Sequence, residues 1–183
     1  MENIFTEEFI LDMFKKTGAL LKGHFKLSSG LHSDTYLQCA KISQYPQYNT
    51  LLSSMIASKF RDKNIDVVIG PAMGGIIIAY EVAKQLGARA IFAERDQARK
   101  MVLRRGFEIR EKERVLVVED VITTGASVKE VIDIVKNSGG ILAGISAFVN
   151  RGGENLLLCE NQYFILNIDI PNYKEEECPL CKN

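Results

Sequence analysis

The sequence predicts an α/β protein in which a central parallel sheet is flanked by helices and preceded by a small N-terminal hood. The first observation is a series of short, nearly continuous apolar runs, which lie at residues 67–69, 90–92, 115–118 and 145–149. The second is helical spacing of apolar residues between such runs, at about residues 75–86 and 127–137. Strands that are apolar throughout are buried on both faces, which is typical of a parallel sheet covered by helices.

Three elements are predicted ahead of the sheet. Apolar residues recur at helical spacing from Thr6 to Leu21, and Thr6 can cap the first turn of that helix. Residues 23–38 alternate apolar and polar on either side of a Ser-Ser-Gly turn, which predicts a short antiparallel pair. A second helix is predicted over residues 46–60, with Pro46 in its first turn.

Length and composition indicate one domain. The chain has 183 residues, 46% hydrophobic and 25% charged, which is enough to bury a core without disulfides or metals. We divide this single domain into about residues 1–45 for the first helix and hood, about 46–170 for the core, and 171–183 for the tail.

Charge and targeting signals narrow the class of protein. The 23 basic and 23 acidic residues balance. Proteins that coat nucleic acid are strongly basic, so no nucleic-acid partner is expected. Residues 1–11 resemble no signal peptide, and there is no apolar run of the roughly 18 residues that span a bilayer, so no membrane partner is expected. Four scattered cysteines do not make a disulfide scaffold. We expect a cytoplasmic protein with reduced thiols.

The strongest chemical signal follows the third apolar run. Glu119 and Asp120 come directly after that run, and the small, hydroxyl-rich turn 123–127 then opens a helix. Unpaired amides in the first turn of a helix, together with its dipole, bind phosphate. Two carboxylates at a strand end can accept hydrogen bonds from vicinal ribose hydroxyls or face a cationic centre. The alternative is a capped helix with two solvated acids.

This segment resembles the phosphoribosyl-diphosphate-binding signature of the type I phosphoribosyltransferases, and implies their fold. Other segments are similar to the members of that family that use orotate. They are Phe25–Gly30 with Ser33 and Tyr36, Gly70–Gly75, Phe92–Arg95, Leu103–Phe107 and Asn150–Arg151. The resemblance covers nearly the whole chain, except about the last ten residues.

The resemblance implies a glycosyltransferase that uses phosphoribosyl diphosphate (PRPP) and orotate. A ring nitrogen of orotate would displace pyrophosphate from the anomeric carbon, giving orotidine 5′-monophosphate for UMP biosynthesis, through a transition state similar to an oxocarbenium ion. Such a reaction needs positioning and charge stabilisation more than acid–base groups. The implied catalytic residues are Lys100, Glu119 and Asp120.

The same resemblance assigns the two substrate sites. For PRPP it implies Met73, Gly74, Arg95, Lys100, Glu119, Asp120, Val121, Ile122, Thr123, Thr124, Gly125, Ala126 and Ser127. For orotate it implies Ser28, Ser29, Gly30, Tyr36, Thr123 and Arg151. A lone arginine after a strand is more often a surface charge, but the planar fork of Arg151 suits the carboxylate of an acid substrate.

The segment 94–105 has five basic and two acidic residues, a local charge of +3 in a neutral protein. It is either a diphosphate-binding loop or a solvated basic loop with weak affinity for nucleic acid, although it carries no aromatic residue for base stacking. The resemblance implies that Lys100 closes over the diphosphate, from the neighbouring subunit of a homodimer.

The turn 70–75 follows a strand and precedes a helix, so its amides can cradle the diphosphate. It is not a Walker A loop, because no Lys-Ser/Thr pair follows the glycines. Gly74 stands where other members of the family carry a lysine, so more of the diphosphate charge falls to Mg²⁺ and to segment 94–105. Magnesium is implied by the polyphosphate rather than by a cluster of protein ligands.

Cys178 and Cys181 form a single CxxC in an acidic tail. Three interpretations stay open: an exposed reduced tail, half of a zinc site, or a redox pair. Zinc needs four ligands, and His24 and His32 lie far away in the sequence. We expect the pair to complete a site only by reaching Cys39, Cys159 or a second subunit.

Two other functions share this fold. A regulator that senses PRPP and binds nucleic acid would need a basic face or a winged-helix extension, and the sequence has neither. A transferase for purine bases would have less use for the carboxylate-binding Arg151.

Overall fold

The computed structural model describes residues 5–27, 29–153 and 155–182. The helices are α1 (Glu7–Lys16), α2 (Ala40–Ser43), α3 (Pro46–Phe60), α4 (Gly74–Leu86) and α5 (Ala126–Asn137), with short 3₁₀ turns at Arg61–Lys63 and Glu175–Glu177. The strands are β1 (Leu20–Lys26), β2 (His32–Leu37), β3 (Val67–Pro71), β4 (Arg89–Arg95), β5 (Met101–Val102), β6 (Arg114–Ile122), β7 (Ile141–Asn150) and β8 (Gln162–Asn167). No helix among these described residues is both long and apolar enough to cross a membrane.

The predicted parallel sheet is confirmed. Six strands lie in the order β5-β4-β3-β6-β7-β8, and every neighbouring pair is parallel except the short β4–β5 pair. The sheet is therefore an α/β core in which β3 and β6 are central.

The two faces of the sheet explain the apolar runs. Val68 packs in the cluster formed by α1, α3 and α4, whereas its neighbours Val67 and Ile69 pack against α5 on the opposite face. Leu116 and Val117 of β6 divide in the same way. Because successive side chains of a strand point to opposite faces, burial of both faces requires an unbroken apolar run.

One helix boundary and two strands differ from the sequence prediction. The first helix ends at Lys16 rather than Leu21, since the Thr17 hydroxyl donates to the carbonyl of Met13 (2.9 Å) and Leu20 already pairs with Leu37 in the hairpin. The edge strands β5 and β8 were not predicted. β5 has only two residues, whereas β8 carries an apolar run at residues 163–166 that the sequence analysis did not assign to a strand, and it lies partly buried at the edge of the sheet.

The predicted antiparallel pair is the β1–β2 hairpin, which forms the hood. The tail returns to this hairpin. The backbones of His32 and Tyr173 exchange two hydrogen bonds of 2.8 Å, and the Ser33 hydroxyl donates to the carbonyl of Pro171 (2.9 Å). Residues at opposite ends of the chain thus form one small substructure.

Candidate active site

Three loops meet at the carboxyl edge of the sheet, where ligands of open α/β sheets bind. The loop after β3 approaches β6 so closely that a Cβ on Gly74 would lie 2.6 Å from Oδ2 of Asp120. The loop after β7 is joined to the end of β6 by the Arg151 amide, which donates to the carbonyl of Ile122 (2.7 Å). The structure therefore brings together the turn 70–75, the acid pair and Arg151.

The acid pair lies inside β6 near its end, rather than in the loop beyond it. Glu119 is only 9% exposed, and burial, followed by the charge of Asp120, raises its pKa to about 9. Burial also raises the pKa of Asp120. Among the described residues, no salt bridge neutralises either carboxylate. Such strongly perturbed acids in a cleft are typical of functional sites.

A pocket next to the acids is lined by Glu119 and the segment 121–128. Gly125, with φ +74°, precedes α5 and has no side chain to cap it, and the Thr124 hydroxyl accepts only a long hydrogen bond from the Ala126 amide (3.4 Å). The first-turn amides are therefore available to an anion, which the dipole of α5 also favours. The exposed hydroxyls of Thr123 and Thr124 lie on the same rim. This geometry suits a phosphate group beside a diol.

Arg151 follows β7 at this edge of the sheet. Its Nε is buried and has no hydrogen-bond acceptor among the described residues. Cys39, which closely follows β2, is buried. Burial and the charges of Asp120 and Glu119 raise the pKa of its thiol, and the charge of Arg151 opposes that rise only in part. The end of the hood hairpin therefore lies beside the acids and Arg151. Sequence reasoning considered Cys39 only as a partner for the tail cysteines and did not place it beside the acids, because a lone cysteine carries no signal of its position.

The basic segment 94–105 is partly a β-hairpin formed by β4 and β5. Arg95 pairs with Glu130 of α5 (2.7 Å) and also donates to the carbonyl of Arg99 (2.6 Å). Its contact with a diphosphate would require that pair to open, and it stays a prediction. Lys100 is exposed, and its backbone amide donates to Oδ1 of Asp96 (2.9 Å).

The remaining predicted residues lie on the hood and on the turn after β3. Tyr36 is half-buried, with its ring 5.6 Å from that of Phe25. Ser29 and Gly30 are exposed at the hairpin tip, and Ser28 lies outside the described residues. Met73 is 83% exposed beside Gly74.

The expectation for the tail cysteines was wrong in two respects. Cys178 is fully buried rather than part of an exposed tail. Cys178 and Cys181 lie next to His24 and His32, the two histidines that we set aside because they are far away in the sequence. The hairpin and the docked tail bring them together, which spacing along the chain does not reveal.

Comparisons with known proteins identify the family of this chain. The family profile described as "Phosphoribosyl transferase domain" matches residues 40–179. The orotate phosphoribosyltransferase of Caldanaerobacter subterraneus subsp. tengcongensis is 56% identical over 176 residues, which are 96% of this chain and 92% of that protein. The protein of the same name from Chlorobium phaeobacteroides (strain BS1) is 53% identical over 172 residues, 94% of this chain and 89% of that one.

Solved structures share the fold. Orotate phosphoribosyltransferase from Aeropyrum pernix has a TM-score of 0.73 and 24% identity, with 87% of this chain and 93% of that chain covered. Adenine phosphoribosyltransferase from Thermoanaerobacter pseudethanolicus has a TM-score of 0.64 and 14% identity, with 73% and 88% covered. Fold and strand-end loop together define a phosphoribosyltransferase domain. The chain belongs to the phosphoribosyltransferase family, in the branch of the orotate phosphoribosyltransferases.

Proposed function

We propose that this protein transfers the phosphoribosyl group of PRPP to orotate, releasing pyrophosphate and orotidine 5′-monophosphate for UMP biosynthesis. The observation that carries the proposal is the buried acid pair, flanked by the N-terminus of α5, where Gly125 offers no capping side chain, and by Arg151, whose buried Nε has no hydrogen-bond partner among the described residues. These three features match a diol, a phosphate and a carboxylate. The relatives at 53–56% identity supply the choice of orotate.

In the proposed reaction the bond between the anomeric carbon and the diphosphate oxygen breaks, and the diphosphate leaves with the electron pair. A ring nitrogen of orotate supplies the pair for the new C–N bond. Glu119 and Asp120 hold the ribose hydroxyls and stabilise the positive charge that develops on the ring. The first turn of α5 holds the 5′-phosphate, and Arg151 orients orotate through its carboxylate.

Magnesium is the proposed cofactor. The donor chemistry fits, because the site offers two carboxylates and no dedicated cage, while Mg²⁺ keeps water ligands and binds substrate phosphates. Bound with PRPP, the ion would neutralise diphosphate charge, and Asp120 and Glu119 are the residues that could contact it.

A homodimer is proposed for two reasons. Met73, Ile77 and Tyr80 are 83%, 50% and 64% exposed, and their spacing forms an apolar stripe that begins at the active-site turn and continues along α4. Lys100 is exposed on a turn that could enter the active site of a second subunit. The proposal is that segment 94–105 reaches the partner's site. Four unpaired cysteines are consistent with a reducing compartment, and we propose the cytoplasm.

The reaction is tested by pyrophosphate release from PRPP and Mg²⁺ with orotate, uracil, hypoxanthine or guanine offered separately. We expect release with orotate alone. Release only with a purine would contradict the role of Arg151 and the hood, whereas PRPP binding without release for any base would favour a regulatory protein.

A further inference from the structure

A second constellation lies on the hood, formed by four side chains that the proposed reaction does not use. They are His24, His32, Cys178 and Cys181, and one ligand atom from each lies within 4.8 Å of all the others. Nε2 of His24 is 2.9 Å from Nδ1 of His32, 3.6 Å from Sγ of Cys178 and 3.5 Å from Sγ of Cys181. Nδ1 of His32 is 3.1 Å from Sγ of Cys181. We call this group the Cys₂His₂ cluster.

These distances match a tetrahedron around one small cation. Zinc bonds of about 2.0–2.1 Å to nitrogen and about 2.3 Å to sulfur imply ligand–ligand separations of about 3.3–3.8 Å. Four of the six separations are equal to these values or up to about half an ångström shorter, and the other two are within 4.8 Å.

Hydrogen bonding among the four groups does not account for the arrangement. Three polar atoms surround Nε2 of His24, but a neutral imidazole nitrogen either donates one proton or accepts one hydrogen bond. A cation at the centre would be bonded to all four atoms at once. The other nitrogen of His32, Nε2, is buried and has no partner among the described residues, so its Nδ1 side is the one aimed at the cluster.

Backbone hydrogen bonds and turns hold the four residues of the cluster in place. His24 and His32 lie on the paired strands β1 and β2. The cysteines follow the 3₁₀ turn Glu175–Glu177 and form a turn of their own, in which the amide of Cys181 donates to the carbonyl of Cys178 (3.2 Å). Hydrogen bonds between Tyr173 and His32 fix the tail on the hairpin. His32 and Cys178 are buried, whereas His24 and Cys181 face solvent and leave an entry path.

We infer that the Cys₂His₂ cluster binds one structural Zn²⁺ ion, which fastens the C-terminal tail to the hood hairpin. Two thiolates and two imidazoles favour zinc over hard cations such as Mg²⁺ or Ca²⁺. Four protein ligands close the coordination shell, so the ion is structural rather than catalytic. Its function is to hold β1 and β2, whose connecting turn carries the residues predicted to cover orotate. The metal site itself does not depend on the proposed reaction.

The test measures metal content and ligand identity in the full-length protein. We expect purified wild type to contain about one zinc ion per chain. The variant C181S, which changes an exposed ligand, should retain less than a tenth of it. C159S is the matched control, because Cys159 is outside the cluster, and it should bind zinc like wild type. Co²⁺ in place of zinc should give the visible bands of a tetrahedral ion with thiolate charge transfer, in wild type and C159S only.

Stability gives a second readout that does not involve activity. Stripping the metal with a chelator should lower the Tm of wild type by about 5 °C or more and leave the Tm of C181S unchanged. H24A, which removes an exposed ligand from a different element, should behave like C181S.

Three results would overturn the inference. The first is wild type that contains no zinc after growth in zinc-supplemented medium and gives no thiolate bands with Co²⁺. The second is C181S that binds as much zinc as wild type. The third is a Cys178–Cys181 disulfide in freshly purified protein, seen as a mass loss of two hydrogens that reduction reverses.

Discussion

At the scale of single residues, burial controls the chemistry of the site. Glu119 is buried near the end of β6, and burial disfavours its ionised form. A bound ligand that supplies hydrogen-bond donors or positive charge would favour that form again. The ligand-free protein therefore holds a proton that the unfolded chain would release at the same pH.

This difference predicts how stability depends on pH. The pKa of Glu119 is about 9 in the folded protein against an ordinary 4.5, so the folded state binds more protons between these values. The stabilisation by the protonated form is complete below about pH 4.5 and is lost as the pH rises towards about 9. E119Q stays neutral and should show a flatter fall of Tm with pH than wild type. E111Q, at an exposed acid, is the control. Parallel profiles for E119Q and wild type would contradict the assignment.

Arg151 supports a prediction about substrate choice. R151A removes the guanidinium proposed to hold the carboxylate of orotate, so the KM for orotate should rise roughly 10- to 100-fold. The KM for PRPP should change little. The exposed arginine of R61A provides a control for loss of charge alone. Equal increases in KM for both substrates would contradict the assignment of Arg151 to the orotate site.

At the scale of elements, the loop from β6 into α5 depends on backbone geometry. Gly125 has φ +74°, and a Cβ there would lie 2.9 Å from Cδ2 of Leu158. G125A should lose about 1–2 kcal/mol of stability from backbone strain and should also raise the KM for PRPP, because the first turn of α5 moves. Gly87 has a similar φ of +70°, but a Cβ there would have no atom within 4 Å. G87A is therefore the control that measures backbone strain without a steric contact. An unchanged KM in G125A would show that the turn does not hold the phosphate.

Elements also show which features a sequence can reveal. The central strands were predictable because burial of both faces leaves an unbroken apolar run, as in residues 115–118. The helix over residues 46–60 was predictable to its ends, since Pro46 marks its first turn. The acid pair and the small turn after it were identified because the strand, the carboxylates and the turn proposed to bind phosphate are contiguous in the chain.

Features that depend on distant residues were not predictable. The pairing of Arg95 with Glu130 joins residues 35 positions apart. The Cys₂His₂ cluster joins His24 to Cys181, 157 positions apart. No local pattern encodes such contacts, because they follow from how the elements pack.

At the scale of the whole molecule, the proposed site is incomplete in one chain. Glu119, Asp120 and the turn proposed to bind phosphate converge at the sheet edge, but Arg95 is paired with Glu130 and Lys100 is exposed to solvent. A diphosphate at this edge would have few cations from its own chain. The apolar stripe on α4 offers a surface through which a second copy could supply them.

Shared sites predict that two inactive variants can restore each other. K100A should lower kcat about 100-fold by removing a cation from the diphosphate, and D120N should be similarly impaired at the ribose. In an equimolar mixture that exchanges subunits, half of the dimers are mixed, and each mixed dimer has one site with both Asp120 and the partner's Lys100. Activity should therefore return to about a quarter of the wild-type value.

Tagged subunits confirm that exchange has occurred, and a mixture of R61A with D120N controls for dilution of active subunits. If mixed dimers form but activity does not rise at any ratio, Lys100 serves its own chain and the shared site is wrong.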